Sequence, residues 1–397
     1  EVLAHPLGDL RELSERELAS LGRLDQPLIK APGANGFEMA VGEAPVDTVD
    51  TGDPWLRLQR NVPLAIRLDA YMTGLVGNST IEAVDLQTPY LIKLLSGGQI
   101  YDGISYYFYF YLAERGEVAG VEDAYVQFTE IGGSPISVMA GQFQVSDPMF
   151  KRELRLPYED YHIYRVRIGE ARNDLAYDRG FMVLLPGWSG ADFTFQAVNG
   201  NGLSGANEER LFDDDRLKNY GLKFNQSIGS SLRLGLYGYY GNEKSEGLTD
   251  EVIVLGPDLT WSATPKWELN VQYLRRTDGN PFFLESCTPG DYRCDATASN
   301  PFRVTTDMAM AELLFFPKGP TERWAVWGLY NYVDADRQAV SLRLGEQNQD
   351  PPFISRYQYL ATGVGYLLAR NLRLTGELGY SFELEEGRGV LGFVAGF

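Results

Sequence analysis

The sequence predicts an all-β fold: a closed, antiparallel transmembrane β-barrel of about 16 strands, with a partly helical N-terminal extension. Three observations predict it. From Pro63 onward, apolar and polar residues alternate with period two, the alternating segments are short, and short and long connections alternate along the chain. A tilted strand of about ten residues is long enough to cross a bilayer, which these segments satisfy.

The alternation is clearest in the segment 371–383. Leu372, Leu374 and Leu378 fall on one face of the predicted strand, whereas Arg373 and Glu377 fall on the other. A strand that faces lipid on one side and a wet lumen on the other requires this pattern. A soluble β-sandwich would also show it, so alternation alone does not decide between the two folds.

The connections separate the two folds. We place strands at 63–73, 82–96, 103–114, 120–130, 135–145, 175–186, 190–199, 217–228, 231–243, 250–262, 265–277, 304–317, 321–333, 356–368, 371–383 and 386–397. Links after even-numbered strands are short. Most links after odd-numbered strands are longer and more polar, namely 146–174, 200–216, 244–249, 278–303 and 334–355, with 384–385 as an exception. Short periplasmic turns and long external loops are the layout of an outer-membrane barrel.

The segment before the barrel has a different character. We expect residues 1–62 to form an N-terminal extension and residues 63–397 to form the transmembrane barrel. Leu10 to Leu24 carries Leu at helical spacing, and several Pro and Gly residues follow it. This extension is either a surface arm, a periplasmic element or a plug of the lumen. Because the chain begins at Glu1 without an apolar leader, we expect a processed, mature protein.

Composition excludes several classes of function. The formal net charge is −19, which argues against a general nucleic-acid binder. The chain has only 2 His and 2 Cys, which is poor material for a metal site or a catalytic set, so we expect no enzyme and no metal site. The chain has no Cys-x-x-Cys-His motif and so attaches no c-type haem itself. We expect the chain itself to bind no cofactor, with haem possible only through a partner cytochrome.

Charged residues fall on the faces that we assign to the lumen. These predicted pore-lining residues are Arg67, Asp69, Asp123, Lys223, Arg233, Glu268, Arg276, Arg373, Glu377 and Arg388. Wall charges of both signs either set up a transverse field that gives ion selectivity or neutralise one another. The sequence leaves both alternatives open.

The longest predicted loop contains a basic and aromatic segment at 150–167. Its constriction-loop candidates are Lys151, Arg152, Arg155, Tyr158, Tyr161, Arg165 and Arg167. Folded into the lumen, this segment would narrow the pore and bind anionic or aromatic solutes. Left outside, it would be an ordinary solvated loop.

Cysteine and histidine residues give two further expectations. Cys287 and Cys294 lie in another long loop, and an exported chain meets an oxidising compartment, so we expect a disulfide between them. His5 and His162 are far apart in sequence, and we expect both at the surface.

Three segments carry a resemblance to known families. Residues 141–150 (GQFQVSDPMF) and 122–128 (EDAYVQF) resemble the corresponding parts of phosphate-selective-porin-like barrels, and the final strand ending on Phe397 resembles the C-terminal insertion signal of outer-membrane barrels. This resemblance to Gram-negative porins implies an integral outer-membrane barrel that passes small hydrophilic solutes through a charged lumen. It also implies contact with outer-membrane lipids and allows a homo-oligomer.

A second, narrower resemblance gives the alternative function. Residues 91–98 (LIKLLSGG) and 33–39 (GANGFEM) resemble barrels that accompany multihaem c-type cytochromes in electron conduits. This resemblance implies an insulating sheath that holds a cytochrome partner in or below the lumen. The partner would then supply all the haem.

Overall fold

The computed structural model describes residues 48–50, 57–59, 63–77, 84–118, 120–152, 155–213, 216–319, 323–341 and 353–397. Within them, sixteen strands close into one antiparallel barrel, in which each strand pairs with the next along the chain. The predicted fold class is therefore confirmed. The helical extension predicted within 1–62 lies outside the described residues, which there comprise only the antiparallel pair Thr48–Asp50 and Arg57–Gln59. None of the described helices has the length and apolar character needed to cross a membrane.

The barrel strands are numbered here in chain order. They are β1 (Leu64–Gly77), β2 (Val84–Tyr101), β3 (Ile104–Glu114), β4 (Gly120–Phe128), β5 (Ser137–Gln144), β6 (Tyr177–Pro186), β7 (Ala191–Val198), β8 (Asn219–Ile228), β9 (Leu232–Ser245), β10 (Leu248–Thr264), β11 (Trp267–Asp278), β12 (Val304–Phe315), β13 (Trp324–Ala335), β14 (Arg356–Ala369), β15 (Leu372–Ser381) and β16 (Glu386–Gly396).

The last strand closes the barrel onto the first. β16 pairs antiparallel with β1 along its whole length. Ile66 and Phe397 extend this ladder by exchanging two backbone hydrogen bonds of 2.7 and 2.9 Å. Closure is required because an unpaired backbone N–H or C=O group in hydrocarbon has no water to replace its missing partner.

Most connection lengths follow the predicted sorting, although 129–136 after β4 is longer than 115–119 after β3. The link expected at 244–249 is not a long loop, because β9 and β10 continue pairing as far as Ser245 and Leu248. Glu246 and Gly247 alone form the turn, with φ of 50° and 87°. Two successive positive φ angles favour a two-residue hairpin turn, and Gly247 adopts its angle without a steric penalty.

The outer surface of the barrel is apolar between two aromatic girdles. Leu222, Leu255 and Leu378 are examples of its exposed aliphatic side chains. The girdle on the short-turn side includes the exposed Tyr101, Trp261, Trp267 and Trp324, and the girdle on the loop side includes Tyr220, Tyr240, Tyr380 and Phe382. An apolar band bounded by aromatic rings is the surface that a barrel presents to lipid.

The position of an outward side chain within this band should determine the effect of adding a charge. Leu236 is 49% exposed on β9, midway between Leu232, which lies opposite Trp261, and the girdle residue Tyr240. We expect Leu236→Arg to lower the unfolding free energy by about 2–4 kcal/mol, measured by urea unfolding in liposomes. The control Leu232→Arg, near the interface, should cost about 0–1 kcal/mol. Equal costs at both positions would contradict the assigned membrane depth.

Candidate functional site

The connection between β5 and β6, residues 145–176, folds into the barrel and is called the inward loop below. Most of its described side chains are buried, and the helical turn His162–Tyr164 lies against β12 and β13 on the far wall. Its outer edge pairs with another external segment, since Arg167–Ile168 forms a two-stranded ladder with Val340–Ser341. The sequence left open whether the segment 150–167 folds into the lumen or stays outside as a solvated loop. In the structure it folds into the lumen.

One side of the inward loop is apolar and packs against an apolar part of the lumen wall. Loop residues such as Phe150 and Ile163 belong to the same buried cluster as Met308, Met310 and Leu329 of β12 and β13. A porin lumen is ordinarily polar, so these inward methionines and aliphatic residues depart from that pattern. They form a hydrophobic core that fills this side of the barrel.

The backbone of the inward loop is held by side chains of the wall. Glu377 of β15 accepts hydrogen bonds from the backbone N–H groups of Tyr158 at 2.8 Å and Glu159 at 3.1 Å. The same carboxylate accepts a third hydrogen bond from the indole N–H of Trp327 at 3.0 Å. Glu377 thus serves as an acceptor for a buried backbone that has no strand partner.

A second wall residue bonds to the next loop residues. The Oδ1 atom of Asn331 accepts from the backbone N–H of His162 at 3.2 Å, and its amide donates to the carbonyl of Asp160 at 2.8 Å. Beside it, Tyr161 donates its hydroxyl to Glu312 of β12 at 2.8 Å. These bonds fix the helical turn of the inward loop to the far wall.

The returning part of the inward loop is held in the same manner. Arg276 of β11 donates to the carbonyls of Val166 at 3.1 Å and Asn173 at 2.9 Å, and it is ion-paired with Asp278 at 2.7 Å. Glu243 of β9 accepts from the backbone and guanidinium of Arg172 at 2.7 and 2.8 Å. The predicted pore charge Arg276 therefore holds the inward loop.

Glu159 links the inward loop to β16. Its carboxylate contacts both the guanidinium of Arg388 and the ring of His162. Burial raises the pKa of Glu159, but Arg388 and His162 outweigh burial and hold this pKa at about 2. Because the pKa is lowered from its ordinary 4.5, the pairing stabilises docking above about pH 4.5, and the stabilisation disappears as the pH falls through about 2.

Three arginines of the inward loop surround one carboxylate and are called the arginine cluster below. Asp160 is paired with Arg152 at 2.5 Å, Arg165 at 3.2 Å and Arg155 at 3.6 Å. Burial raises the pKa of Asp160, but these arginines hold it well below its ordinary range, so the carboxylate is ionised at neutral pH. Three guanidinium groups around one carboxylate leave a local excess of positive charge.

The space left beside the inward loop is a luminal cavity of about 630 Å³. Its lining reaches from 201–204, in the external loop after β7, to Arg67 and Arg373 near the short-turn ends of β1 and β15. The cavity therefore extends between the two sides of the barrel. It is bounded by the inward loop on one side and by β1–β4, β15 and β16 on the other.

Basic residues outnumber acidic residues along the luminal cavity. The basic side chains are Arg67, Lys93, Arg115, Arg152, Arg155, Arg165, Arg167, Arg172, Arg373 and Arg388. The acidic ones are Asp69, Glu114, Glu122, Glu159, Asp160 and Asp174. The cavity therefore has the opposite sign of charge from the whole chain, whose formal net charge is −19.

The predicted pore-lining and constriction residues divide into two groups. Arg67, Asp69, Arg373, Arg388, Arg152, Arg155, Tyr158, Arg165 and Arg167 line the luminal cavity. The other predicted residues do not line the cavity. They belong either to the barrel wall or to the inward loop: Asp123, Lys223, Arg233, Glu268, Arg276, Glu377, Lys151 and Tyr161. The sequence pattern shows which way a side chain points, but not what covers it.

Covered charges are paired within the wall. Lys223 of β8 and Asp258 of β10 are both fully buried and form an ion pair across β9. Gly235 of β9 lies between them, and a Cβ atom there would collide with both charged groups. Lys151 is paired with Asp123 at 3.2 Å and Asp147 at 3.4 Å, so it anchors the inward loop to β4.

Residues that line the cavity and that sequence reasoning missed include Tyr71, Tyr90, Lys93 and Arg115. Tyr71 falls on the inward face of its alternating segment, so its phase could have identified it. Lys93 lies over the rings of Tyr109 and Tyr111. Arg115 stands in the turn after β3 with a φ of 52°, which no periodic pattern predicts.

The cysteine and histidine positions have different outcomes. Cys287 and Cys294 form a disulfide in the loop after β11. His162 was expected at the surface, but it is buried against Tyr357, with ring centroids 5.0 Å apart, because the inward loop carries it into the lumen. His5 lies outside the described residues.

Within the described ranges, no group of three or more His, Cys, Asp or Glu side chains is placed to hold a metal ion.

The closed barrel, its apolar belt and its loop-filled lumen define an integral, multi-pass outer-membrane β-barrel with the porin fold. Solved structures support this class. The chain is similar to an anion-selective porin from Comamonas acidovorans, with a TM-score of 0.56 and 11% identity over 85% of this chain and 99% of that chain. It is similar to the trimer form of OmpT from Vibrio cholerae, with a TM-score of 0.55 and 11% identity over 85% and 99%.

A third similar structure is the outer-membrane channel DcaP of Acinetobacter baumannii, with a TM-score of 0.52 and 12% identity over 85% of this chain and 97% of that chain. No family model matches the chain, and no curated protein matches it. At these identities the similarity shows the fold, and the function has to be argued from the lumen.

Removal of the Glu377 carboxylate should loosen the inward loop. Glu377→Ala leaves two loop N–H groups and the Trp327 indole without their acceptor, and each buried unsatisfied donor costs about 1–3 kcal/mol. We expect the amides of Tyr158 and Glu159 to exchange hydrogen at least about tenfold faster by mass spectrometry. The control Glu383→Ala removes an exposed carboxylate that accepts from Gln358 at 2.6 Å. Unchanged exchange in Glu377→Ala would refute the docking role.

Proposed function

We propose that this protein is a passive outer-membrane channel for small hydrophilic solutes, and that its luminal cavity favours anions. The observation that carries the proposal is the cavity itself, which extends between the two sides of the barrel and is lined by more basic than acidic side chains. Solutes would diffuse through water, and the width and the wall charge would set rate and selectivity.

The arginine cluster supports the anion preference. Arg155 and Arg165 are respectively 24% and 28% exposed at the side chain, and both line the luminal cavity. Arg67 and Arg373 continue the basic lining toward the short-turn side. An anion would therefore meet successive basic side chains along its path, while a cation would face a repulsive field.

The alternative function, a sheath around a multihaem cytochrome, finds less support in the lumen. The inward loop and its core fill one side, and the remaining cavity is about 630 Å³. A folded domain of 100 residues has a radius of gyration of about 13 Å, and a sphere of that radius has a volume of about 9,000 Å³, far more than the cavity provides. A cytochrome partner below the barrel and a homo-oligomer both stay predictions, as does the absence of enzymatic activity.

Neutralising the arginine cluster should weaken the anion preference. In planar bilayers under a KCl gradient, we expect a reversal potential that shows chloride passing in preference to potassium. Arg155→Gln/Arg165→Gln should lower the chloride-to-potassium permeability ratio by about fivefold for each charge removed. The reason is that two unit charges 4 Å apart in water interact by about 1 kcal/mol. Arg293→Gln is the matched control, because Arg293 lies outside the cavity and is paired with Asp291 at 2.8 Å. A cation-preferring parent channel would contradict the proposal.

A further inference from the structure

Three tyrosines from three different elements meet at the luminal cavity and are called the tyrosine cluster below. Tyr71 belongs to β1, Tyr90 to β2 and Tyr158 to the inward loop. The ring of Tyr158 lies 4.9 Å from that of Tyr71 and 5.4 Å from that of Tyr90, and the rings of Tyr71 and Tyr90 are 5.2 Å apart. All three line the cavity, so they place aromatic surface on the route of a solute.

Guanidinium groups border this aromatic surface. Arg388 lies 4.8 Å from the ring centroid of Tyr158, and Arg115 lies 5.9 Å from that of Tyr90. Arg115 also donates from Nε to the hydroxyl of Tyr90 at 3.1 Å. Within the described part of the chain, Arg115 has no carboxylate within ion-pair distance, whereas Arg388 is paired with Glu159.

The arginine cluster lies close to the tyrosine cluster along the inward loop. Arg155 donates from Nε to the carbonyl of Glu159 at 3.0 Å, and Glu159 directly follows Tyr158. The two clusters line one cavity of about 630 Å³, a volume typical of sites for small organic ligands. Positive charge and aromatic edges and faces are therefore available to one solute at the same time.

This combination suits a particular chemistry. A carboxylate is recognised by the planar fork of an arginine, and a ring packs edge-to-face or offset against tyrosine rings. A cyclic aliphatic carboxylate of the same charge gains the first interaction but not the geometry of the second. Binding of this kind is weak enough for release, which a conducting channel requires.

We propose that the luminal cavity is selective for aromatic carboxylates over aliphatic carboxylates of equal charge and similar size. The inference rests on the proposed anion channel and adds the class of solute. The tyrosine cluster supplies the discrimination, and Arg115 together with the arginine cluster supplies the attraction for the carboxylate.

The test compares benzoate with cyclohexanecarboxylate in planar bilayers that contain the full chain. Bi-ionic reversal potentials should favour benzoate by about two- to tenfold, the range expected for one aromatic pair. In Tyr90→Leu/Tyr158→Leu the ratio should fall to about one, whereas Tyr90→Phe/Tyr158→Phe should keep it because the rings remain. Tyr220→Leu, which removes an outward tyrosine of the lipid girdle, is the control and should leave the ratio unchanged.

The permeability of chloride relative to potassium is measured on the same bilayers, so that failure of one proposal can be distinguished from failure of the other. A benzoate ratio near one in an anion-preferring parent channel would overturn the solute class and leave the anion channel intact. Loss of the chloride preference in the parent would overturn the proposed function, and the solute class with it. If the leucine variant does not insert, the phenylalanine variant still tests the proposal. A ratio of benzoate to cyclohexanecarboxylate permeability near one in the phenylalanine variant would overturn the role of the rings.

Discussion

The structure depends on how the backbone of the inward loop is satisfied inside the barrel. This segment leaves the sheet and so loses its strand partners, yet a buried N–H or C=O group must still be paired. Wall side chains take the place of a neighbouring strand: Glu377 and Glu243 accept from loop N–H groups, Arg276 donates to loop carbonyls, and Asn331 does both. Each of these groups is costly to leave unpaired, so together they select one docked position.

Docking in this position divides the lumen into two parts. Along β4–β14, loop and wall form a hydrophobic core that includes Met308 and Ile163. On the β1–β4 side, a water-accessible cavity is lined by arginines of the inward loop and by tyrosines of the wall and the inward loop. An acidic protein thus contains a cavity lined by more basic than acidic side chains. Under the proposed function, the selectivity of the channel would therefore depend on where the inward loop docks.

The sequence was sufficient for the barrel and for part of the site. Period-two alternation located all sixteen strands because lipid and lumen impose opposite demands on successive residues. It missed some of their ends, as at 244–249, where β9 and β10 extend beyond the expected loop, and at Tyr101, where β2 continues past the predicted end at 96. Alternation also placed Arg276 and Glu377 on the inner face. It could not show that they bind a loop backbone, since that depends on contacts distant in sequence. For the same reason His162 was expected outside and is buried.

Under the proposed function, the channel conducts while the inward loop is docked on the far wall. The most direct test is the single-channel conductance of a His162→Cys/Asn331→Cys variant joined by a short bismaleimide, because the backbone N–H of His162 donates to Oδ1 of Asn331 at 3.2 Å and so places the two residues next to each other. We expect efficient cross-linking and a conductance equal to that of the two single-cysteine variants treated in the same way. Absence of cross-linking, or a channel closed by the cross-link, would contradict it.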